Sequence, residues 1–300
     1  MTLATLAAPG RMPVIPASFE YHRPTSIKEA VGLLAQWGDE GRALAGGHSL
    51  IPMMKLRLAK PEHLVDLQDL DELRGIRSEP DAVIIGALAT QHELIGSELL
   101  AAKHPIIRET ALQIADPQVR YCGTLGGNVA NGDPGNDMPA VMVALGATYR
   151  VKGRGGERDI AARDFYEGAY STALREGDIL VAVRIPMPAD GHGYAYEKQK
   201  RKVGDYATAA AAVVLTMSGG ACTSAAIALT NVADTPLFAK EAGEAVVGTA
   251  VDEAAISEAA RRAQRIASPS ADGRGPADFR THVAGIMVRR ALARAKERAG

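Results

Sequence analysis

The chain has 300 residues, of which 47% are hydrophobic, and a formal net charge of −1. A chain of this length can bury a sizeable core and is expected to form about two domains. The near-neutral charge argues against a nucleic-acid binder, and no stretch approaches the roughly 18 uncharged apolar residues of a membrane span.

Residues 1–13 are predicted to be an N-terminal extension. Their single arginine follows a modest apolar stretch, whereas a secretory signal carries its charge before a longer one, so we expect no secretory signal. The two cysteines, Cys122 and Cys222, offer no disulfide framework and no metal-ligand spacing. They fit a reducing cytoplasm, and they are too few for an iron–sulfur cluster, which normally takes four cysteine ligands.

Hydrophobic periodicity and breaker residues predict alternating helices and strands along the first two-thirds of the chain. Glu93 follows Thr90 at the spacing of a capping box. In chain order the predicted elements are helices at 27–36 and 50–58, strands at 64–67 and 83–87, a helix that begins at Thr90, helices at 105–115 and 138–145, and strands at 147–151 and 179–185.

A stretch rich in Pro, Gly and Asp at 186–193 predicts the boundary between a first domain at 14–189 and a second at 190–300. In the second domain, strands followed by helices favour an α+β layer over a doubly wound sheet. The predicted elements are strands at 194–200, 207–217 and 221–229, with a hairpin turn at 218–220, and helices at 236–247, 252–266 and 276–296.

Two glycine pairs are the most informative motifs. The first turn, residues 45–49, has the sequence Ala-Gly-Gly-His-Ser and lies between a short apolar run and a predicted helix. The second turn, residues 124–128, has the sequence Thr-Leu-Gly-Gly-Asn within a polar loop at 123–137. Glycine lets successive backbone N–H groups converge on one anion, so two such turns predict a diphosphate held from two sides. The simpler alternative is that each pair is only a turn, with Ser49 as a helix cap.

No other catalytic motif accompanies the two turns. The sequence has no G-x-G-x-x-G, no P-loop and no nucleophile elbow, and no two histidines have the H-x-x-x-H or H-E-x-x-H spacing, so a zinc site has little support from the sequence. Turns that bind an anion without nearby acid, base or metal favour a redox cofactor that carries its own chemistry.

The two turns also carry a resemblance to a known family. Residues 44–55 and 123–137, with shorter stretches at 21–24, 204–212, 229–232 and 272–276, resemble the flavin-binding medium subunits of molybdenum hydroxylases. More narrowly, they resemble those of aerobic molybdenum–copper carbon monoxide dehydrogenases, over nearly the whole of residues 15–296. The resemblance implies an α+β fold with a two-part PCMH-type FAD-binding domain, followed by a three-stranded antiparallel sheet with helices.

In that family FAD lies in a cleft of the N-terminal domain. The resemblance places Asp137 near the ribose or ribityl hydroxyls, and Leu180 and Lys198 near the flavin and its electron-rich edge. Tyr206 matches an aromatic residue beside the isoalloxazine ring, with a core tyrosine as the alternative, and the His48 ring alternatively packs the turn. The residues matched to the diphosphate are Ala45, Gly46, Gly47, His48, Ser49, Thr124, Leu125, Gly126, Gly127 and Asn128.

The resemblance further implies a chain that carries electrons and has no catalytic residue or metal of its own. The molybdenum–copper centre belongs to a large subunit and two [2Fe–2S] clusters to a small one, in a dimer of heterotrimers that delivers electrons to a quinone or similar acceptor. A peripheral position at the inner face of the cell membrane is compatible with this role. The alternatives are the FAD subunit of a xanthine, aldehyde or nicotinate hydroxylase, a self-sufficient flavin oxidoreductase and a non-catalytic nucleotide-binding module.

Overall fold

The computed structural model describes residues 15–299. The predicted extension at 1–13 therefore lies outside the described residues. Between residues 15 and 299, no helix combines the length and the apolar character needed to cross a bilayer.

The fold begins with a small parallel sheet of β1 (Glu20–His22), β2 (Gly41–Leu44) and β3 (His63–Asp66), in the order β1-β3-β2. Helix α1 (Ile27–Trp37) connects β1 to β2, and α2 (Leu50–Lys55) connects β2 to β3. The helix predicted at 50–58 ends three residues early. Arg57 has a φ of 58°, a left-handed conformation that no α-helix continues through.

The second sheet has five antiparallel strands, in the order β4-β5-β10-β6-β7. A separate two-stranded sheet, β8 and β9, lies in the connection from β7 to β10. The strands are β4 (Ile76–Ser78), β5 (Ala82–Gly86), β6 (Thr148–Gly153), β7 (Gly156–Ala161), β8 (Tyr166–Gly168), β9 (Ser171–Thr172) and β10 (Ile179–Pro186).

Six short helices connect β5 to β6. They are α3 (Gln91–Gly96), α4 (Glu98–Lys103), α5 (Pro105–Ala111), α6 (Pro117–Cys122), α7 (Leu125–Ala130) and α8 (Asp137–Ala144). The capping box predicted at Thr90 is confirmed: its Oγ1 accepts from the Glu93 amide at 3.2 Å, and Glu93 accepts from the Thr90 amide at 2.7 Å. The predictions missed α6 and α7, and the helix predicted at 105–115 ends at Ala111.

The C-terminal part is a four-stranded antiparallel sheet followed by helices. Its strands, in spatial order, are β11 (His192–Gln199), β12 (Ala209–Ser218), β13 (Ala221–Thr230) and β14 (Leu237–Phe238). Its helices are α9 (Lys240–Glu244), α10 (Glu253–Ile266) and α11 (Ala277–Arg298). The α+β prediction is confirmed, with the difference that 236–247 contains β14 and α9 in place of one helix.

Two large hydrophobic cores hold these layers. One lies between β12, β13, α10 and α11, with Leu215, Ile227 and Leu292 fully buried. The other joins β5, β6 and β10 to α5 and α8, and it also takes Tyr196 and Ala210 from the C-terminal sheet. This second core contains side chains from both sides of the connection at 187–191, so packing does not divide the chain there. The boundary that we placed at 189–190 therefore stays a prediction.

Candidate functional site

A cleft of about 990 Å³ runs along the N-terminal part of the chain and reaches the end of β11. That volume lies at the upper end of the range for ligand pockets, roughly 300–1,000 Å³, and suits an extended molecule. The structure brings every predicted site residue to its wall except Leu125, which is fully buried behind the second turn. Their individual contacts with a ligand stay predictions.

The first turn presents free backbone donors to this cleft. The amides of Gly46, Gly47, His48 and Ser49 have no hydrogen-bond acceptor among residues 15–299. Gly47 has a φ of 71°, which only glycine adopts readily. Successive free amides in a turn that contains a left-handed residue form a concave anion-binding surface. The first turn therefore has the local geometry that the sequence predicted.

The side chains of the first turn have local roles. The His48 Nδ1 atom lies 2.6 Å from the Gly46 carbonyl oxygen, so the ring folds back on its own turn. This is the packing role that we gave as the alternative for His48. The alternative that Ser49 caps α2 is wrong: Ser49 has helical backbone angles, and its hydroxyl makes no capping bond with the residues that the structure describes.

The second turn is built differently. Thr124 is the N-cap of α7, and its Oγ1 accepts from the Gly127 amide at 2.9 Å. The amides of Leu125 and Gly126 donate to the carbonyls of Ala89 and Ala87, each at 2.8 Å, and the Asn128 amide donates to Thr124. The Gly126 and Gly127 amides thus have acceptors within the chain, and their contact with a ligand stays a prediction.

Glycine in both turns permits close packing between segments. A Cβ on Gly46 would lie 2.0 Å from the Cys122 carbonyl oxygen at the end of α6, and a Cβ on Gly126 would lie 2.6 Å from the Ala87 carbonyl oxygen. A Cβ on Gly127 would lie 3.7 Å from the Ala45 side chain. The two turns are thus packed against each other, and together they form one continuous wall of the cleft.

A buried ion pair lies in the cleft wall. The Lys198 Nζ, at the end of β11, donates to Asp137 Oδ2 at 2.7 Å, and the Tyr196 hydroxyl donates to Asp137 Oδ1 at 2.5 Å. Burial raises the pKa of Asp137, and the Lys198 ammonium and the Tyr196 hydroxyl oppose that effect. Both oxygens of Asp137 thus have donors within the chain. The role implied for Asp137, an acceptor for ligand hydroxyls, stays a prediction, and the carboxylate also holds Lys198 in place.

Tyr206 lies at the cleft with 41% of its surface exposed, so the alternative of a core tyrosine is wrong. Partial burial raises the pKa of Tyr206, and the nearby Asp133 carboxylate raises it further. The phenol therefore keeps its proton at neutral pH. Gly135 lies under the ring, where a Cβ would come within 2.7 Å. Leu180 is almost fully buried in the same wall, where the register of β10 against β6 shifts.

Two polar side chains that line the cleft have buried amide atoms without a hydrogen-bond partner among residues 15–299, and one of these side chains was not predicted. Gln91, the first residue of α3, is 1% exposed, and neither its Oε1 nor its Nε2 has a hydrogen-bond partner. The buried Oδ1 of Asn128 likewise has none. A buried amide without a partner is costly unless something satisfies it, so these three atoms are candidate contacts for a bound ligand. No motif marks Gln91, which appears in the sequence only as part of a helix start.

The wall thus combines free amides, unpartnered side-chain amides, a buried ammonium and an exposed aromatic ring. Free amides suit a diphosphate, and the amide side chains suit hydroxyls or ring nitrogens. Aromatic and cationic groups suit an electron-rich planar ring. These features fit the flavin dinucleotide that the resemblance implies.

Comparison with known proteins agrees with this fit. The family described as "FAD binding domain in molybdopterin dehydrogenase" matches residues 17–188, and "CO dehydrogenase flavoprotein C-terminal domain" matches residues 194–295. The chain is 65% identical to the "Carbon monoxide dehydrogenase medium chain" of Afipia carboxidovorans, over 95% of this chain and 99% of that one. The medium chain of the same name from Hydrogenophaga pseudoflava is 48% identical, over 93% and 97%.

Solved structures agree as well. A chain of the reconstituted CO dehydrogenase from Oligotropha carboxidovorans superposes with a TM-score of 0.94 at 65% identity, covering 95% of this chain and 100% of that one. A chain of quinoline 2-oxidoreductase from Pseudomonas putida 86 gives 0.90 at 35% identity, covering 95% and 99%.

Proposed function

The chain belongs to the family of carbon monoxide dehydrogenase medium chains, and we propose that it is the electron exit of such a complex. Its cofactor is FAD, and it is a subunit of an oxidoreductase of the molybdenum hydroxylase type. In the proposal, [2Fe–2S] clusters of a partner subunit reduce this FAD during oxidation of CO to CO2, and a quinone or similar acceptor reoxidises it.

The observation that carries the proposal is the donor pattern of the cleft. The free amides of residues 46–49 bind the diphosphate, while the second turn packs behind the first, with Gly127 beside Ala45. The unpartnered amides of Gln91 and Asn128 bind polar groups of the same cofactor.

The far end of the cleft receives the isoalloxazine ring. Lys198 Nζ has a donor left beyond its contacts with Asp137 and the Gln113 carbonyl, and this positive charge favours an electron-rich ring edge. Tyr206 covers the ring with a protonated phenol. Bound FAD supplies the exchange between single-electron and paired-electron transfer, and this chain's residues hold and orient it.

The proposed partners supply the metal centres for which this chain has too few cysteine ligands. Its two cysteines, Cys122 exposed and Cys222 buried, are too few for an iron–sulfur cluster. We therefore propose an obligatory small subunit with [2Fe–2S] clusters and a large subunit with the molybdenum–copper centre, in a dimer of heterotrimers. A peripheral position at the inner face of the cell membrane would bring FAD close to a membrane quinone.

Reconstitution tests the proposal. The large and small chains are mixed with CO and a quinone analogue, with and without this chain. We expect quinone reduction and bleaching of the flavin only when all three chains are present. A flavin that stays oxidised in the complete complex, or substrate oxidation by this chain alone, would contradict the electron-exit role.

The substrate of the complex is tested in the same assay. Medium chains of other dehydrogenases, such as the glyceraldehyde dehydrogenase of Sulfolobus acidocaldarius at 33% identity, are more distant than the CO dehydrogenase chains at 65% and 48%. This difference favours CO. Bleaching by an aldehyde or an N-heterocycle, with none by CO, would favour another molybdenum hydroxylase.

A further inference from the structure

Glu20, His22 and His63 form a side-chain cluster on one face of the parallel sheet. Glu20 and His22 are two residues apart in β1, so their side chains project to the same face. His63 of β3 pairs with Glu20 across the strands. Tyr21 projects to the opposite face and donates to Asp66 there. The strand pairing therefore fixes which three side chains meet.

The three possible ligand atoms lie close to one another. His22 Nε2 and His63 Nδ1 are 3.2 Å apart, His63 Nδ1 and Glu20 Oε2 are 3.5 Å apart, and His22 Nε2 and Glu20 Oε2 are 3.8 Å apart. Ligand atoms at about 2.0–2.1 Å from a tetrahedral zinc ion are roughly 3.3 Å from one another. The three atoms are thus arranged much like one face of a tetrahedron around a metal.

Trp37, at the end of α1, holds the two imidazole rings in place. Its ring stacks on His63 with centroids 4.0 Å apart and an interplanar angle of 8°, and its centroid lies 4.2 Å from that of His22. The His22 and His63 side chains are only 24% and 16% exposed, whereas Glu20 is 73% exposed. Two oriented, half-covered nitrogen ligands and one accessible carboxylate form a site that is open to solvent on one side.

Two imidazoles and one carboxylate together prefer particular metal ions. Imidazole suits zinc, copper, iron and nickel, and two histidines with one carboxylate form a ligand set of catalytic zinc sites that leaves a position free. Without a metal, the two imidazoles share a single hydrogen bond through the same nitrogens that a metal would take. None of the three residues lines the FAD cleft.

We propose that Glu20, His22 and His63 bind a divalent transition-metal ion of the zinc class. The ion connects β1 to β3 at the edge of the sheet and is independent of the flavin. Zn²⁺ is the occupant that fits the spacing, with water completing its coordination.

The chain contains one tryptophan, and it lies against the site, so its fluorescence reports occupancy. Full-length protein with FAD bound is titrated with Co²⁺ while Trp37 emission is followed, and with Zn²⁺ in a calorimeter. We expect saturable quenching by Co²⁺ at one ion per chain, a calorimetric stoichiometry of one for Zn²⁺, and reversal of the quenching when Zn²⁺ is added.

Variants locate the ion. His22→Ala and His63→Ala are each expected to weaken binding at least tenfold, since loss of an outer-shell partner alone typically costs about 10–100-fold. Glu20→Gln should weaken it less, because water can replace an exposed carboxylate. His92→Ala is the matched control: His92 stacks on Tyr121 outside the cluster, so this variant should bind like the unchanged protein.

Failure to bind Co²⁺ or Zn²⁺ saturably would overturn the proposal, as would equal affinity in the unchanged protein and both histidine variants. Far-ultraviolet circular dichroism and FAD content verify folding. If both histidine variants misfold, Glu20→Gln decides: weaker binding supports the site, and unchanged binding overturns it. Neither the Trp37 fluorescence nor the calorimetric readout depends on electron transfer. The metal site and the electron-exit role can therefore be refuted independently of each other.

Discussion

Lys198 and Asp137 form an ion pair of 2.7 Å between side chains that are 1% and 6% exposed, although 61 residues separate them in sequence. The pair connects the C-terminal end of strand β11 to the first residue of α8. It also places an ammonium in the wall of the FAD cleft. Its contribution to the stability of the fold can be tested directly.

Lys198→Met is expected to lower the free energy of unfolding by about 3–5 kcal/mol, because it leaves a buried carboxylate without its partner. Urea denaturation of the FAD-free chain measures this. The double variant Lys198→Met/Asp137→Leu should recover much of the loss, since it removes both charges.

An exposed pair provides the control. Arg23 and Asp69 also form an ion pair, but their side chains are 57% and 50% exposed. Arg23→Gln should therefore cost far less stability than Lys198→Met. Equal losses in the buried and the exposed pair would contradict the energetic role of the Lys198 pair.

Gly46→Ala should destabilise the chain by roughly 1–3 kcal/mol and reduce its FAD content, because the new Cβ would lie 2.0 Å from the Cys122 carbonyl oxygen. Flavin released on acid treatment measures the content. Gly96→Ala is the matched control, since nothing lies within 4 Å of a Cβ there. Full FAD content in Gly46→Ala would show that the close approach of the first turn to the end of α6 is not needed for binding.

Gln91→Met is expected to leave the FAD-free chain as stable as before or more stable, because it removes a buried amide without partners. The same change should weaken FAD binding by about tenfold if the amide bonds to the cofactor, which corresponds to about 1.4 kcal/mol. Flavin fluorescence titration and urea denaturation measure the two effects. A variant that is less stable and binds FAD normally would assign Gln91 a purely structural role.

Tyr206→Phe should retain FAD but shift its absorption or its reduction behaviour, because a protonated phenol beside the flavin contributes a dipole. Absorption spectra and a reductive titration test this. Tyr121→Phe, at an exposed tyrosine that does not line the cleft, should change neither. An unchanged spectrum and unchanged reduction in Tyr206→Phe would separate this residue from the ring.

His104 makes the stability of the fold sensitive to acid. It is 3% exposed, its Nε2 has no partner, and burial, followed by the charges of His192 and Lys103, lowers its pKa to about 4. The unfolded chain takes up this proton near pH 6.5, whereas the folded one resists until about pH 4, so stability falls as the pH falls through this window.

The loss attributable to His104 is on the order of 3 kcal/mol, from 1.36 kcal/mol per pKa unit. His104→Phe should remove much of the difference in unfolding free energy between pH 7 and pH 4. His92→Gln, at an exposed histidine, should leave it in place. An identical acid loss in His104→Phe would show that other groups cause it.

The sequence predicted the features that depend on neighbours along the chain. The Thr90 capping box and the turn between β2 and α2 each follow from a few adjacent residues, and the structure confirms them. The α7 helix was missed because a glycine pair in a polar loop has low helix propensity, and the Thr124 cap together with packing on β5 outweighs it.

The site was predicted less completely because its contacts are non-local. The family resemblance identified Asp137 and Lys198, but their pairing depends on how β11 packs against α8, which no local pattern encodes. Gln91 was missed for the same reason. Its amide matters only because the fold buries it at the cleft without a partner.

The cleft takes its wall from residues between Leu34 and Tyr206. During synthesis, a nascent chain that ends before β11 has both glycine turns but neither Lys198 nor Tyr206. Flavin loading on the ribosome would therefore have to wait until about two-thirds of the protein has emerged.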